Sequence, residues 1–562
     1  MNATRLLPLG KALVKFFQVA SLNATPPRKR LLHSSLRLCS SPKDLKSVHA
    51  VMIKSESHQD SFTMNQFITL CSRFNQVDRA LLAFKQMEEP NVFVYNAMIG
   101  SFLHQTEPIK ALQLFVEMLK SEMLPTCHTF SHLIKVCTQI PATGMGESVH
   151  GQVRKMGFGC HLVVQTGLIN FYTVSNRVEE SRRVFDEMSV RDAFSWNTMI
   201  FCCVNCGDME TANELFDEMV ERNTVSWNTM IAGYARLGDV ESAASLFKQM
   251  PGKNLISWTS MISCYSHNGL FKEALETFEA MKEAGMSPDK VTMTTVISAC
   301  AHLGAFEVGR RTHHSAILNG FQIDVYIGSA LVDMYAKCGR IERSLVIFFK
   351  LEEKNLFCWN SVIDGLAMHG RAKDAFYIFS KMTESHVKPN SVTFVSILSA
   401  CTHAGLVEEG RKMFLSMTMD HSIAPEMEHY TCMVDLLARA GFLEEALDLI
   451  RSMELIPNSV AWRALLSGCK VHENVQVGNF AMDKLMALDP KKSSSYMLLV
   501  DMFAKANRWA EVAALRWKLK GMSVQKGIPG CSWIEMDGLI HEFPAADTSH
   551  PLLVSFSFSY LD

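Results

Sequence analysis

The sequence predicts an all-α chain built as a solenoid of stacked helical hairpins, and three observations carry that prediction. Hexapeptides recur at fixed intervals: SWNTMI at 195–200 and 226–231 and SWTSMI at 257–262 stand 31 residues apart. Self-similarity at a period of 20 to 50 residues is the mark of repeated supersecondary units. Inside one period the apolar residues follow helical spacing. The chain is also 48% hydrophobic over 562 residues, yet it contains no apolar run of the ~18 residues that a membrane span needs. Repeats that each touch only their neighbours bury that much without a single large core.

The first forty residues carry Arg5, Lys11, Lys15, Arg28, Lys29, Arg30 and Arg37 and no acid before Asp44. Leu6, Leu7, Leu13, Phe16 and Phe17 alternate with these cations. A basic, acid-free, amphipathic leader is what organelle targeting requires, so residues 1–28 are expected to be a transit peptide. Lys11 and Lys15 interrupt the apolar stretch and argue against a secretory signal. The Leu- and Arg-bearing residues 5–19 favour the mitochondrion, with the chloroplast as the alternative. Removing these seven cations from a net charge of −2 leaves about −9. The body is therefore mildly acidic, whereas binders of nucleic acid usually carry a basic excess.

Extending the register in both directions finds CWNSVI at 358–363, VYNAMI at 94–99 and AWRALL at 461–466. SACAHLGAFEVGRR from Ser298 and SACTHAGLVEEGRK from Ser399 mark a second repeat type. Between Leu255 and Asp289, Trp258, Met261, Ile262 and Tyr265 fall at i, i+3, i+4 and i+7, one face of a helix. Asn268 and Gly269 break it, and Ala274, Phe278 and Met281 form a second stripe that stops near Gly285 and Pro288. About thirteen units are expected over 29–458: 29–60 (short and degenerate), 61–91, 92–126, 127–161, 162–192, 193–223, 224–254, 255–289, 290–324, 325–355, 356–390, 391–426 and 427–458. Lengths alternating among 31, 32, 35 and 36 set this array apart from tetratricopeptide repeats, which hold near 34. Two further hairpins are expected over 459–526, SVAWRALLSGCKVHENVQVG and SYMLLVDMFAKANRWAEVAALRWKLKGM, and then an irregular segment, 527–562, opening on GIPGCSWIEMDGLIHEF.

In these motifs and in the alternation of lengths the chain resembles the plant pentatricopeptide-repeat family, in its PLS subclass, over about residues 29–543. The resemblance implies a right-handed superhelix of TPR-like hairpins that binds single-stranded organellar RNA. In helical-repeat readers two or three side chains per repeat address one base. The family uses the fifth residue of a unit, its last residue, and an apolar second residue that sandwiches the base. Carried onto this chain, the fifth and last residues are Asn65 and Asn91, Asn96 and Thr126, Thr166 and Asp192, Asn197 and Asn223, Asn228 and Asn254, Thr259 and Asp289, Ser329 and Asn355, Asn360 and Asn390, and Thr431 and Asn458. The pairs Ser131 and His161, Thr294 and Asp324, and Val395 and Glu426 fit the family's pattern less well. By that pattern the RNA would read Y-Y-n-G-Y-Y-G-n-A-Y-n-A from 5′ to 3′. The second residues include Phe62, Phe93, Val163, Phe194, Val225, Ile256, Val291, Tyr326, Phe357 and Val392.

Cys203 and Cys206 form a CxxC among sixteen cysteines. However, Cys39, Cys71, Cys137, Cys203, Cys300, Cys401 and Cys469 share the eleventh slot of their units, and residues recurring once per repeat lie a repeat apart. They read as small buried hydrophobes, and no metal or other cofactor is expected. The family's enzymatic members need H-x-E and PCxxC to hold zinc. No H-x-E occurs here, since His541 and Glu542 are adjacent. The segment after 526 looks like the truncated start of the part that precedes the family's deaminase domain. The resemblance therefore implies a non-enzymatic site-recognition factor for C-to-U editing. It would use its extension motifs to recruit a separate deaminase-domain protein, with other editing factors as further partners and no membrane. A splicing, stability or translation role, and a protein-binding scaffold without RNA, are the competing readings.

Overall fold

The computed structural model describes residues 36–104, 108–140, 143–488, 493–505, 507–521, 531–536 and 539–544. The expected leader, 1–28, and the tail after Pro544 lie outside the described residues. The chain forms two compact units, residues 1–252 and 253–562. Each is a succession of helical hairpins, preceded in the first by the helix Pro42–Lys54. The first helices of successive hairpins are Ser61–Arg73, Val92–Ser101, Cys127–Gln139, Leu162–Val174, Ala193–Cys206 and Thr224–Leu237 in the first unit. In the second they are Leu255–His267, Lys290–Leu303, Val325–Lys337, Leu356–Met368, Ser391–Ala404 and Met427–Arg439. A short turn leads from each to a second helix, such as Val178–Asp186 or Phe271–Glu283.

Local chemistry sets these boundaries. The helix Leu255–His267 starts where the Asn254 side chain accepts from the Ser257 N–H at 3.0 Å, satisfying a donor that would otherwise lack a partner. It ends at Asn268 and at Gly269, whose φ of +75° suits a residue without Cβ. Trp258, Met261 and Ile262 on one helix, and Ala274, Phe278 and Met281 on the next, are all buried. These are the two stripes that helical spacing picks out.

Within each compact unit a first helix packs on its own second helix and on the first helix of the next hairpin. The approach is closest at glycine. A Cβ on Gly365 would stand 2.6 Å from the Ala336 Cβ, and one on Gly468 would stand 2.7 Å from the Ala438 carbonyl oxygen. Aromatic pairs link consecutive hairpins edge to face: Phe185 with Trp196 at 5.0 Å, Phe216 with Trp227 at 4.9 Å and Phe348 with Trp359 at 4.9 Å between ring centroids. Arg191 and Arg222 cover the outer faces of Phe185 and Phe216, each 4.5 Å from the centroid. Each such pair contributes about 0.5–1.5 kcal/mol beyond the area it buries.

The stack continues past Ser452. Ser459–Val471 with Val475–Leu488, and Ser493–Lys505 with Trp509–Gly521, form two more hairpins. One buried cluster runs from Val434 and Leu437 through Leu465, Leu466 and Met482 to Tyr496, Val500 and Val512. After it, β1 (Cys531–Met536) and β2 (Leu539–Pro544) pair antiparallel, Met536 opposite Leu539 and Cys531 opposite Pro544. The segment expected as the truncated start of a deaminase-linked part with an irregular tail contains this β-hairpin among its described residues. Its signal is in the sequence, because Asp537-Gly538 between two short runs is a two-residue hairpin turn dipeptide.

All seven cysteines of the eleventh slot are buried. Burial pushes the thiols of Cys71, Cys203, Cys401 and Cys469 up to about 12. At pH 8 a thiol reagent is accordingly expected to label the exposed Cys160 in the native protein and to leave these four untouched until denaturant is added, as peptide mass spectrometry would report. Gly468→Ala should lower the urea midpoint of the second unit, at a cost of about 1–3 kcal/mol from overpacking. Gly151→Ala, in the open interior of the helix Thr143–Lys155, should raise that of the first unit by about 0.5–1 kcal/mol.

Candidate nucleic-acid interface

The last residue of each expected unit is the N-cap of the next first helix. Asn91 accepts from the N–H groups of Phe93 and Val94 at 3.1 Å, Asp192 from Ser195 at 2.8 Å and Asn223 from Val225 and Ser226 at 3.0 Å. Asp289 accepts from Thr292 at 2.8 Å, Asn355 from Cys358 at 2.8 Å, Asn390 from Thr393 at 3.1 Å and Asn458 from Val460 and Ala461 at 3.0 Å. Thr126 and Asn254 cap in the same way. Their residue types thus have a helix-starting role of about 1 kcal/mol each, whatever else they contact. Of the less regular pairs, Asp324 caps its helix and forms an ion pair with Lys290, whereas His161 caps nothing with its side chain.

The second residue stands on the first helical turn and points away from the core. Phe62, Phe93, Val163, Phe194, Val225, Ile256, Val291, Tyr326, Phe357 and Val392 are all 53–69% exposed. Packing into the hairpin core therefore does not account for them. In ten of these twelve hairpins an apolar residue is left in solvent at the same place, and His128 and Glu428 stand there in the other two.

One turn further, the fifth residue lies at the base of the notch between neighbouring second residues. Asn96, Thr166, Asn197, Ser329 and Asn360, with Ser131, are buried, and Asn65, Asn228, Thr259 and Thr431 are half-buried. In the first unit these notches are open hollows. One of about 350 Å³ is lined by Ser131, Val163, Thr166, Asp192 and Phe194, and one of about 610 Å³ by Phe194, Asn197, Asn223 and Val225. Two apolar side chains thus flank a hollow floored by polar ones.

In four hairpins the fifth and last residues bond directly. Asn96 Nδ2 donates to Thr126 Oγ1, Asn197 Nδ2 to Asn223 Oδ1 and Asn360 Nδ2 to Asn390 Oδ1, each at 3.1 Å, and Ser329 Oγ donates to Asn355 Oδ1 at 3.1 Å. Thr259 reaches Asp289 through Thr292, with Oγ1 to Oγ1 at 2.7 Å and Thr292 Oγ1 donating to Asp289 Oδ1 at 2.7 Å. Three other fifth residues make different contacts. Asn65 Nδ2 donates to the Phe93 carbonyl at 3.3 Å, while Thr166 and Thr431 donate to the carbonyls of Leu162 and Met427 at 2.7 Å. Asn228 lies on the helix Thr224–Leu237 of the first unit and Asn254 caps a helix of the second.

Packing demands more of these residues than the sequence discloses. The recurrent Asn after Trp or Tyr donates to the cap oxygen of the next hairpin, so its amide is partly spent inside the protein. The third residue of the following hairpin also belongs to the site in three places: the hydroxyls of Thr129, Thr292 and Thr393 contact the fifth residues Asn96, Thr259 and Asn360.

Beyond the fifth residue, the exposed Arg73 and Lys135 line a hollow of about 1070 Å³ in the first unit with His128 and His132. Burial, then Lys135 and His128, holds the His132 imidazole below its ordinary range. In the second unit Asp333 is held by Lys337 at 2.9 Å and Asp435 by Arg439 at 2.8 Å, and burial, with Asp333 adding to it, raises Asp364.

Family models match this chain along most of its length. The PPR repeat matches at 62–92, 166–192, 194–224, 225–255, 329–356, 392–421 and 428–455, the PPR repeat family at 90–139, 253–302 and 354–403, and the E motif at 472–535. A pentatricopeptide repeat-containing protein of Arabidopsis thaliana is 53% identical over 94% of this chain and 91% of its own. Another from that plant, named as chloroplastic, is 35% identical over 93% of this chain and 80% of its own. Among solved structures, the pentatricopeptide repeat protein PPR10 from maize shares the fold with a TM-score of 0.51 at 16% identity, over 91% of both chains. Its complex with an 18-nt psaJ RNA element aligns with a TM-score of 0.50 at 18% identity, over 92% of this chain and 83% of that one. The notched hairpins and the E motif that follows them, together with a relative more than half identical over nearly the whole chain, establish that this protein belongs to the pentatricopeptide repeat family, as a PLS-type member carrying an E motif.

Proposed function

We propose that this protein binds single-stranded RNA along its first helices, one nucleotide per notch. A base sits between successive second residues, and its edge meets the fifth and last residues. The observation that carries this reading is the recurrence of ten second residues left 53–69% exposed, nine of them beside buried or half-buried polar fifth residues. A folded chain exposes such a row at a cost, and bases have the flat apolar faces that fit it, each stacking contact being worth about 1–3 kcal/mol. The site residues are Asn65, Asn91, Asn96, Thr126, Thr166, Asp192, Asn197, Asn223, Asn228, Asn254, Thr259, Asp289, Ser329, Asn355, Asn360, Asn390, Thr431 and Asn458.

On this reading the chain does no chemistry. Residues 29–458 select the RNA, 459–526 with the segment after it recruit a separate deaminase, and the pair acts in C-to-U editing of an organellar transcript. The leader would direct it to the mitochondrion, with the chloroplast as the alternative. The E motif at 472–535 and the absence of any H-x-E from the sequence support that division of labour.

Binding of the purified full chain to Y-Y-n-G-Y-Y-G-n-A-Y-n-A is expected to exceed binding to the same RNA with purines and pyrimidines exchanged by about tenfold or more, roughly 1.4 kcal/mol. Asn228→Ala combined with Thr259→Ala should abolish the preference. Equal binding of both RNAs, measured by fluorescence anisotropy at fixed salt, would refute base reading and favour a protein-binding scaffold.

A further inference from the structure

Where the third residue of a first helix carries a hydroxyl, it divides the hairpins into two kinds that the fifth and last residues do not distinguish; Val94, Val164, Ile327, Cys358 and His429 stand there in other hairpins. Six are fully buried hydroxyl residues: Thr129, Thr292 and Thr393, and Ser195, Ser226 and Ser257. Each threonine hydroxyl reaches back to the fifth residue of the preceding hairpin. Thr129 Oγ1 donates to Asn96 Oδ1 at 2.6 Å, Thr393 Oγ1 to Asn360 Oδ1 at 2.7 Å, and Thr292 Oγ1 lies 2.7 Å from Thr259 Oγ1. The serines turn the other way. Ser195, Ser226 and Ser257 donate to the backbone carbonyls of their caps, Asp192, Asn223 and Asn254, at 2.7–2.8 Å. The difference follows from branching at Cβ, since the threonine methyl restricts χ1 where serine rotates freely.

The consequence falls on the fifth residue. Asn360 and Asn197 carry the same Asn cap and donate to it identically. Thr393 occupies the Oδ1 of Asn360, whereas the Oδ1 of Asn197, in a residue only 8% exposed, is buried with no partner. A buried acceptor left without a donor is costly, and Asn197 is among the residues that line the hollow flanked by Phe194 and Val225. At Thr259 the order of donors is fixed. The Asp289 carboxylate only accepts, so Thr292 donates to it and receives the Thr259 proton, which turns the lone pairs of Thr259 outward.

We infer that the third residue of the following repeat, through Thr129, Thr292, Thr393 and Ser226, is a positioning residue that sets whether the fifth residue meets the base as donor or acceptor. This rests on the RNA-binding reading above. The hairpin 193–223 offers the base an unsatisfied acceptor and gains from a base N–H. The hairpin 356–390, with the same two residues, has that acceptor filled. In 255–289 the relay presents an acceptor, which suits the N1–H and N2–H groups of guanine and not the N1 of adenine.

The test is to bind Ser226→Thr, Thr393→Ser and Thr292→Val forms of the full chain to RNAs varied only at the fifth, tenth and seventh nucleotides of the sequence given above. Ser226→Thr should weaken a preference for uracil, with its N3–H, over cytosine at the fifth nucleotide, and Thr393→Ser should strengthen that preference at the tenth, each by about threefold or more. Thr292→Val, which keeps the shape and removes the hydroxyl, should reduce guanine-over-adenine preference at the seventh by a similar factor, with other nucleotides unmoved. If the unaltered chain discriminates and these variants, melting as it does, leave every preference unchanged, the inference fails alone. If the unaltered chain does not discriminate at these nucleotides, the groove reading fails and this inference with it.

Discussion

The bond from the side chain of a unit's last residue to the first N–H groups of the next helix, made in most units though not at His161, is the contact on which this structure turns. It closes one hairpin and starts the next, so it fixes the register of the array. It also places an oxygen within reach of the fifth residue of the preceding hairpin, as at Asn197 with Asn223 and at Asn360 with Asn390. A helix-starting device and the floor of a notch are thereby the same atoms. Substitution of a cap would alter both stability and reading, and neither effect alone would reveal the other.

Above that floor, burial and exposure alternate along the first helical turn. The fourth residue, such as Trp227 or Trp359, is driven inward against a Phe of the preceding hairpin, while the second, such as Val225 or Phe357, is left in solvent. At helical spacing, two residues separated by one position cannot face the same way. Fixing the aromatic in the core therefore forces its neighbour two residues earlier out of it. The close crossing at Gly233, where a Cβ would stand 2.9 Å from Val204, holds successive first helices near enough for Phe194 and Val225 to flank one hollow.

The acidic net charge of the body fits this arrangement. Several cations beside the notches are already engaged, Lys337 with Asp333 and Arg439 with Asp435, and the exposed Arg73 and Lys135 lie in the first unit. If RNA lies there as proposed, phosphate attraction over the second unit would be weak. Recognition would then depend on apolar flanks and on hydrogen bonds at the floor, so the orientation of a buried hydroxyl such as Thr393 would carry weight that a basic groove would mask.

Much of the fold was legible in the sequence, because the information is periodic. The stripe of Trp258, Met261 and Ile262 and the break at Asn268 and Gly269 determine a hairpin by local geometry alone, and a fault in one repeat is corrected by the next. The β-hairpin after residue 530 was passed over because it occurs once and offers no period. The sequence also determined where the candidate site residues stand, since position within a repeat is a count. Only the tertiary structure decided what their polar atoms do. Whether the amide of Asn197 or Asn360 has a free acceptor depends on a hydroxyl more than two dozen residues later in the chain, brought beside it by stacking and aimed by the presence or absence of one methyl group. No local pattern encodes that, because the two partners belong to different hairpins and become neighbours only when the hairpins pack.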